Sequence, residues 1–484
     1  MTTQHTAPAT TGTSGASSGT APPGAVQEGD RPARNGDGPD SARPGFWNDL
    51  RPVMLRLHFY AGVVIGPFLL VAAVTGLLYT VTPQLESVLY HHELTVTPHG
   101  SADPLADQVT AARKAVPDGK LVSVSPPPGP TDSTRVVFDA PGLPDGYNVT
   151  AFVDPYDHHV LGTLRTYGQW LPARAWLDSL HRTLHLGNFG RNYSELAASW
   201  LWVEVLGGLA LWLGAPGPRR GLHRGLLPRA GRPGRRRTLS WHGTVGLWVS
   251  AGLLGLSATG LTWSAHAGAN IGRIQDALGG GTPAVAAGPA GPGTGGGSAR
   301  DVGIDAVARS AHEAGLSGLL VITPPTERGA AYVVEENTRS WPEKQDSVAV
   351  DPGTGRVIAT LRFADYPLLA KLTRWGIDAH MGLLFGPVNQ IALALLAVAL
   401  ISMVLLGYRM WWLRRPTRTG GRAFGRPPVR GAWRRLRGRV LAPAVVGAAV
   451  LGYWLPLFGL PLLVFLAVDV AAGAVCHRRV AVAR

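Results

Sequence analysis

One cysteine, Cys476, stands in 484 residues. That scarcity excludes a disulfide framework, a thiolate-held iron–sulfur cluster and an all-cysteine zinc site. Charge is also scarce: 16% of residues are Asp, Glu, Lys or Arg, against about 25% in an average soluble domain. Residues 1–45 contain no aromatic and are rich in Thr, Ser, Gly, Pro and Ala. Such a stretch cannot bury enough surface to fold, and reads as a disordered N-terminal segment. It shows no signal peptide with a small-residue cleavage site, so the first apolar segment is expected to be a retained anchor. Acids are missing from two arginine-rich stretches, Arg219–Arg237 and Arg414–Arg439. Basic blocks beside apolar segments account for the net charge of +14 as membrane topology rather than nucleic-acid binding, for which no binding fold is recognisable.

What the chain does have is 45% hydrophobic residues, gathered in blocks. A helix needs about 20 apolar residues to cross a bilayer. Spans are expected at 54–82, 195–214, 241–265 and 388–413. A fifth block, 440–475, is interrupted by Pro456 and Pro461 and reads as a tight hairpin of two short helices. Short basic loops stay in the cytoplasm. This places residues 1–45, the loop 215–240, the segment 414–439 and the tail 476–484 inside the cell, and 83–180 and 266–376 outside the plasma membrane. Both outer segments read as small α+β domains, with helices at 105–116 and 303–314. Strands are expected at 135–138, 147–153, 319–322, 331–335 and 347–350. Residues 279–297 form a Gly-rich linker, whose Gly291, Gly293 and Gly296 match G-x-G-x-x-G by composition alone.

The outer segments share a repeated run. Val153-Asp154-Pro155 and Val160–Arg165 recur as Val350-Asp351-Pro352 and Val357–Arg362, with the closing Arg eleven positions after the Asp in both. The spans repeat as well. His58 precedes Thr75-Gly76-Leu77 by 17 residues, and His242 precedes Thr259-Gly260-Leu261 by 17. Gly62 and Gly246 each follow four residues after those histidines, and His181 and His380 each precede a glycine by six. The chain therefore reads as two copies of helix, outer segment, helix. His185 and His266 have no counterpart in the repeat, although either remains an alternative ligand. His58 and His242 fall near the cytoplasmic face, His181 and His380 near the outer face, and 17 helical residues separate the levels by ~25 Å. Two neutral imidazoles from adjacent helices can supply both axial ligands of a haem iron, with Gly62 and Gly246 leaving room for a flat macrocycle. No C-x-x-C-H is present, so two b-type haems rather than c-type ones are expected. A zinc or copper site is the rival; His181 and His185 lie one helical turn apart, but no H-E-x-x-H completes them. Glu204, mid-helix in Leu201–Val205, marks a functional position by its depth, as a proton relay, a partner for a porphyrin carboxylate or a helix-pairing group. Asp469 is a weaker case of the same kind.

At these residues the sequence resembles the PepSY-associated transmembrane helix family, the iron-regulated membrane proteins. The resemblance lies in His58–Gly62, Thr75–Tyr79, His181–Gly187, Glu195–Trp202, Trp241–Gly246, His380–Gly386 and Met410–Arg415, and spans roughly residues 50–416. It implies a four-helix membrane core with two PepSY outer domains, to which 440–475 is an addition. It also implies a diheme reductase of ferric siderophores or other ferric chelates, ligated by His58, His181, His242 and His380. With no flavin or nicotinamide domain visible, the electron donor is expected to be a quinol or a separate reductase. PepSY domains elsewhere resemble protease-inhibitory modules, so a non-enzymatic sensor or protease regulator is the alternative.

Overall fold

A computed structural model describes residues 46–214, 226–228, 233–286, 301–327, 329–414, 428 and 431–482. The expected N-terminal disorder, most of both basic segments and the glycine motif at 291–296 lie outside the described residues.

The chain enters through α1 (Phe46–Val64) and α2 (Gly66–Tyr79), which meet at a bend of 57°. One span over 54–82 was expected, and the bent pair covers it. Pro67 lacks an N–H and disfavours helix at the residue before it, so the helix breaks at Ile65-Gly66. Gly66 has a second reason to lack a side chain: a Cβ there would lie 3.0 Å from the Tyr408 hydroxyl, which bonds the Val63 carbonyl at 2.8 Å. After α3 (Thr82–Leu89) and α4 (His91–Leu94) come α5 (Leu105–Ala115) and strands β1 (Lys120–Ser125), β2 (Thr134–Asp139), β3 (Tyr147–Val153) and β4 (Val160–Tyr167). Helix α6 (Pro172–Thr183) leads into α7 (Gly187–Leu213), and α8 (Gly234–Thr262) returns to α9 (His266–Ala277). The pattern then recurs as α10 (Ile304–Glu313), β5 (Leu320–Thr323), β6 (Tyr332–Glu336), β7 (Ser347–Val350), β8 (Val357–Leu361), α11 (Leu368–His380) and α12 (Gly386–Trp412). Gly187 and Gly386, which open α7 and α12, both have φ of +56°. That left-handed turn suits glycine and explains its recurrence six residues after each histidine.

The expected pair of separate outer domains is one domain. Its eight strands form a single antiparallel sheet in the order β4-β3-β2-β1-β5-β6-β7-β8. Each half alone would end in an unpaired strand; β1 and β5 remove both edges by pairing through Val124 and Ile322. The halves also share one core, in which Val109, Ala112 and Phe138 join Val307, Ala311, Ile322 and Val334. Asp305 of α10 accepts the free N–H groups of Leu105 and Ala106 at the start of α5, at 2.6 and 3.1 Å, capping a helix of the other half. Phe138→Ala in this fully buried position is expected to cost about 3–5 kcal/mol, read as faster limited proteolysis of the sheet domain with the helical bundle still intact.

The repeated Val-Asp-Pro run is a hairpin device. Asp154 accepts the N–H of Tyr156 at 2.9 Å and Asp351 that of Gly353 at 2.8 Å. Each turn follows a register shift, at Phe152/Val153 and Ala349/Val350. The motif is thus explained by chain reversal rather than by chemistry. Since both halves of the sheet arise from segments between spans, and share strand pairing, those segments lie on one side of the membrane.

The last block is a hairpin, though not of two short helices. Helix α13 (Gly438–Trp454) is followed by α14 (Pro456–Val482), 27 residues long, with Pro461 inside it. Only Pro456 falls at the break. Gly452 and Gly459 let the two helices approach so closely that a Cβ on either would collide with the other's backbone. Trp200 of α7 donates to the Leu457 carbonyl at 3.1 Å and stacks against Phe458. Arg56 of α1 forms an ion pair with Asp469 of α14, both side chains 8% exposed. Asp469 therefore ties the hairpin to the core.

Candidate functional site

Four of the sequence-selected histidines fall into two pairs. His58 on α1 and His242 on α8 lie with ring centres 6.3 Å apart and planes at 70°. Metal–imidazole bonds of about 2.0–2.1 Å on opposite sides of one ion bring ring centres to about 6 Å. Glu204 of α7 sits 2.9 Å from Nδ1 of His58, with its side chain 12% exposed and that of His58 22% exposed. Gly207 and Gly208, beneath the His58 ring, would place a Cβ 3.6 and 3.3 Å from it. The expected role of Gly62 and Gly246 as open space for a macrocycle needs correcting. A Cβ on Gly62 would meet Oε2 of Glu204 at 3.5 Å, and one on Gly246 would meet Cε of Met403 at 2.9 Å. These glycines admit side chains from the neighbouring helices.

The second pair lies at the end of the bundle next to the sheet. His181, near the end of α6, and His380, the last residue of α11, line one cavity of about 810 Å³, within the range of pockets that enclose small molecules. The Thr75 hydroxyl is 2.9 Å from Nδ1 of His181, and the Thr259 hydroxyl is 2.6 Å from Nδ1 of His380. Each hydroxyl also donates to its own helix, Thr75 to the Val71 carbonyl and Thr259 to the Gly255 carbonyl, both at 2.8 Å. A hydroxyl has one proton. With that proton committed to the backbone, the oxygen accepts from Nδ1–H, and Nε2 carries the lone pair on both rings. Burial lowers the pKa of His181 to about 4 and that of His380 to about 3, so both rings are neutral and able to ligate at physiological pH. Gly76 and Gly260, next to the threonines, seat the imidazoles: a Cβ there would lie 3.2 Å from His181 and 3.7 Å from His380. Trp263 meets His380 edge-on at 5.4 Å.

The cavity wall is apolar and small-residued where the helices line it, with Ala72, Ala73, Ala197, Ala198 and Ala397. Arg182, Arg191, Arg339 and Arg374 also line it, against Asp178 and Glu195. Arg182 pairs with Asp178 at 3.1 Å, while Arg339 and Arg374 reach Asp378 at 2.7 and 3.2 Å. Glu195 is held by the N–H groups of His266 and Ala267 at 2.9 and 2.8 Å. Arg191 has no ion pair among the described residues.

The two unrepeated histidines lie elsewhere. His185 has φ of +56° and stacks on Trp176 at 4.8 Å. His266 starts α9 and bonds Asn192 through Nε2 at 3.1 Å. Neither lines the cavity. Among the described residues, no three His, Cys, Asp or Glu side chains converge as a metal set. Each pair offers two imidazoles, fewer than the three or four protein ligands of a zinc centre. Sequence reasoning missed Thr75 and Thr259 as partners of the histidines, although both stood in the repeat at the same spacing. It also missed the arginine rim, because nothing in the local sequence joins Arg339 to Arg182.

Candidate spans and an extramembrane antiparallel sheet define a multi-pass membrane protein in contact with the lipid bilayer. Among the described residues, the helices long and apolar enough to cross number four, or five with the bent pair α1–α2 counted as one span. The family model for the PepSY-associated TM region matches residues 55–414, and the chain belongs to that family. No curated protein matches it.

Proposed function

We propose that the protein is a transmembrane electron carrier holding two b-type haems, one between His58 and His242 and one between His181 and His380, and that it reduces a ferric chelate such as a siderophore. The observation that carries this reading is the paired Thr–His contact at the cavity. It frees Nε2 on both rings, each from a different repeat, beside a volume fit for a large planar group. A bound haem would supply one-electron redox chemistry. The chain's own residues do the rest. His181 and His380 provide the donors, and Thr75 and Thr259 fix their tautomer. The apolar part of the wall would shield the group from water, and Arg191, which has no ion pair among the described residues, would balance the negative charge of the cofactor's carboxylates.

In this reading the sheet domain faces outward and the arginine-rich segments and both termini face the cytoplasm, by the bias of basic loops. A quinol or a separate reductase delivers electrons at the His58/His242 end. The ferric chelate receives them at the sheet end, where reduction to Fe(II) weakens the hold of hard oxygen ligands. Purified protein is expected to show a Soret band and α/β peaks that sharpen on dithionite, and membranes containing it to reduce a ferric siderophore. A folded but colourless preparation would favour the sensor or protease-regulator reading. Thr75→Val is expected to loosen the outer site about 10–100-fold, measured as haem transfer to excess apo-globin, with Thr75→Ser close to wild type.

A further inference from the structure

Each imidazole pair takes one histidine from either repeat, and the two pairs differ in what stands at Nδ1. The interval of 199 residues that relates His181 to His380 also relates Glu204 to Met403. The two occupy equivalent places in space, Glu204 against Gly62 and Met403 against Gly246. At one site, then, a carboxyl group is 2.9 Å from the Nδ1 of a candidate ligand; its repeat partner is a thioether. At the cavity site both Nδ1 atoms meet neutral hydroxyls. The wall there carries four arginines against two acids, and Asp378 and Glu343 pair with two of those arginines. Among the described residues, the carboxyl group in contact with a candidate ligand ring is therefore that of Glu204.

A carboxylate beside the Nδ1 of an imidazole makes the ring a stronger donor, and its charge favours the ferric over the ferrous iron. We propose that Glu204 is a positioning residue that makes the His58/His242 site the lower-potential one of the two. Electrons then run downhill from that site toward the sheet domain. This rests on the haem reading above.

The test is a spectroelectrochemical titration of the purified full-length holoprotein in detergent. Wild type is expected to give two one-electron midpoints, and His380→Ala to remove the higher one, which assigns the waves. Glu204→Gln keeps a hydrogen-bonding group of the same shape without the charge. It is expected to retain both haems and to raise only the lower midpoint, by at least a tenfold change in reduction equilibrium, 59 mV for one electron. Unchanged midpoints in Glu204→Gln, or movement of the higher wave alone, would overturn the proposal while leaving the haem reading in place. A preparation that binds no haem overturns both.

Discussion

His380→Ala is expected to yield a folded protein with half the wild-type haem and no usable ferric-chelate reduction. The imidazole is one of two in its cavity, buried, neutral and fixed by Thr259 at 2.6 Å. In the proposed reading the metal would be held by two protein atoms, and it would not survive the loss of one of them. The distant pair, His58 and His242, is untouched, so its absorbance remains. His58→Ala should give the complementary result: the other half of the haem is lost and the cavity site retained. Because the proposed path across the bilayer is serial, either variant should lower reduction in membranes by at least two orders of magnitude, about 3 kcal/mol of effective barrier. Haem content by pyridine haemochrome separates loss of cofactor from loss of protein. Full haem retention in both variants rules out the ligand assignment.

Asp378→Ala is expected to be the most destabilising single change outside the sheet core. Asp378 is completely buried, and it joins Arg339, from the sheet domain, to Arg374 on α11. Arg374 in turn pairs with Glu343 at 2.7 Å. Removing one member of a buried ionic network leaves the others uncompensated, at a cost of about 3–5 kcal/mol. The two arginines are partly exposed, at 21% and 29%, so the lower end of that range is expected. The apparent unfolding midpoint should fall by several degrees, and the cavity haem should be lost before the other, since both arginines line its wall. An unchanged midpoint would show that water already satisfies the pair. Asp378→Asn keeps the shape and tests whether charge or packing carries the effect.

Much of this was legible in the residues. Hydropathy located the spans because a bilayer demands long apolar runs, and the equal spacing of His58–Thr75 and His242–Thr259 picked out residues that the fold brings into two clusters. The bend within the first span was not read because composition is continuous across it; Gly66-Pro67 was the available signal. Strands β1, β4 and β8 were overlooked for different reasons. Lys120–Ser125 alternates polar and apolar weakly, Val160–Tyr167 carries Gly162 and three polar positions, and Val357–Leu361 is only five residues. None shows its strand character without its neighbours. The fusion of two outer domains into one could not be read at all, because an edge strand and an inner strand differ by what lies beside them. The arginine rim and the Glu204–Met403 contrast likewise required three dimensions, although the repeat interval placed the latter pair in register.

The β1–β5 seam has a consequence for how such a chain could have arisen. A single copy would expose a bare strand edge and contribute only one imidazole at each level. It would be complete only when two identical copies met about a twofold axis. Joining the copies in tandem makes the encounter intramolecular, at an effective concentration set by the connecting segment rather than by expression level. Once the copies are fused, each can change alone, as at Glu204 and Met403, so that the two halves of one histidine pair acquire different surroundings.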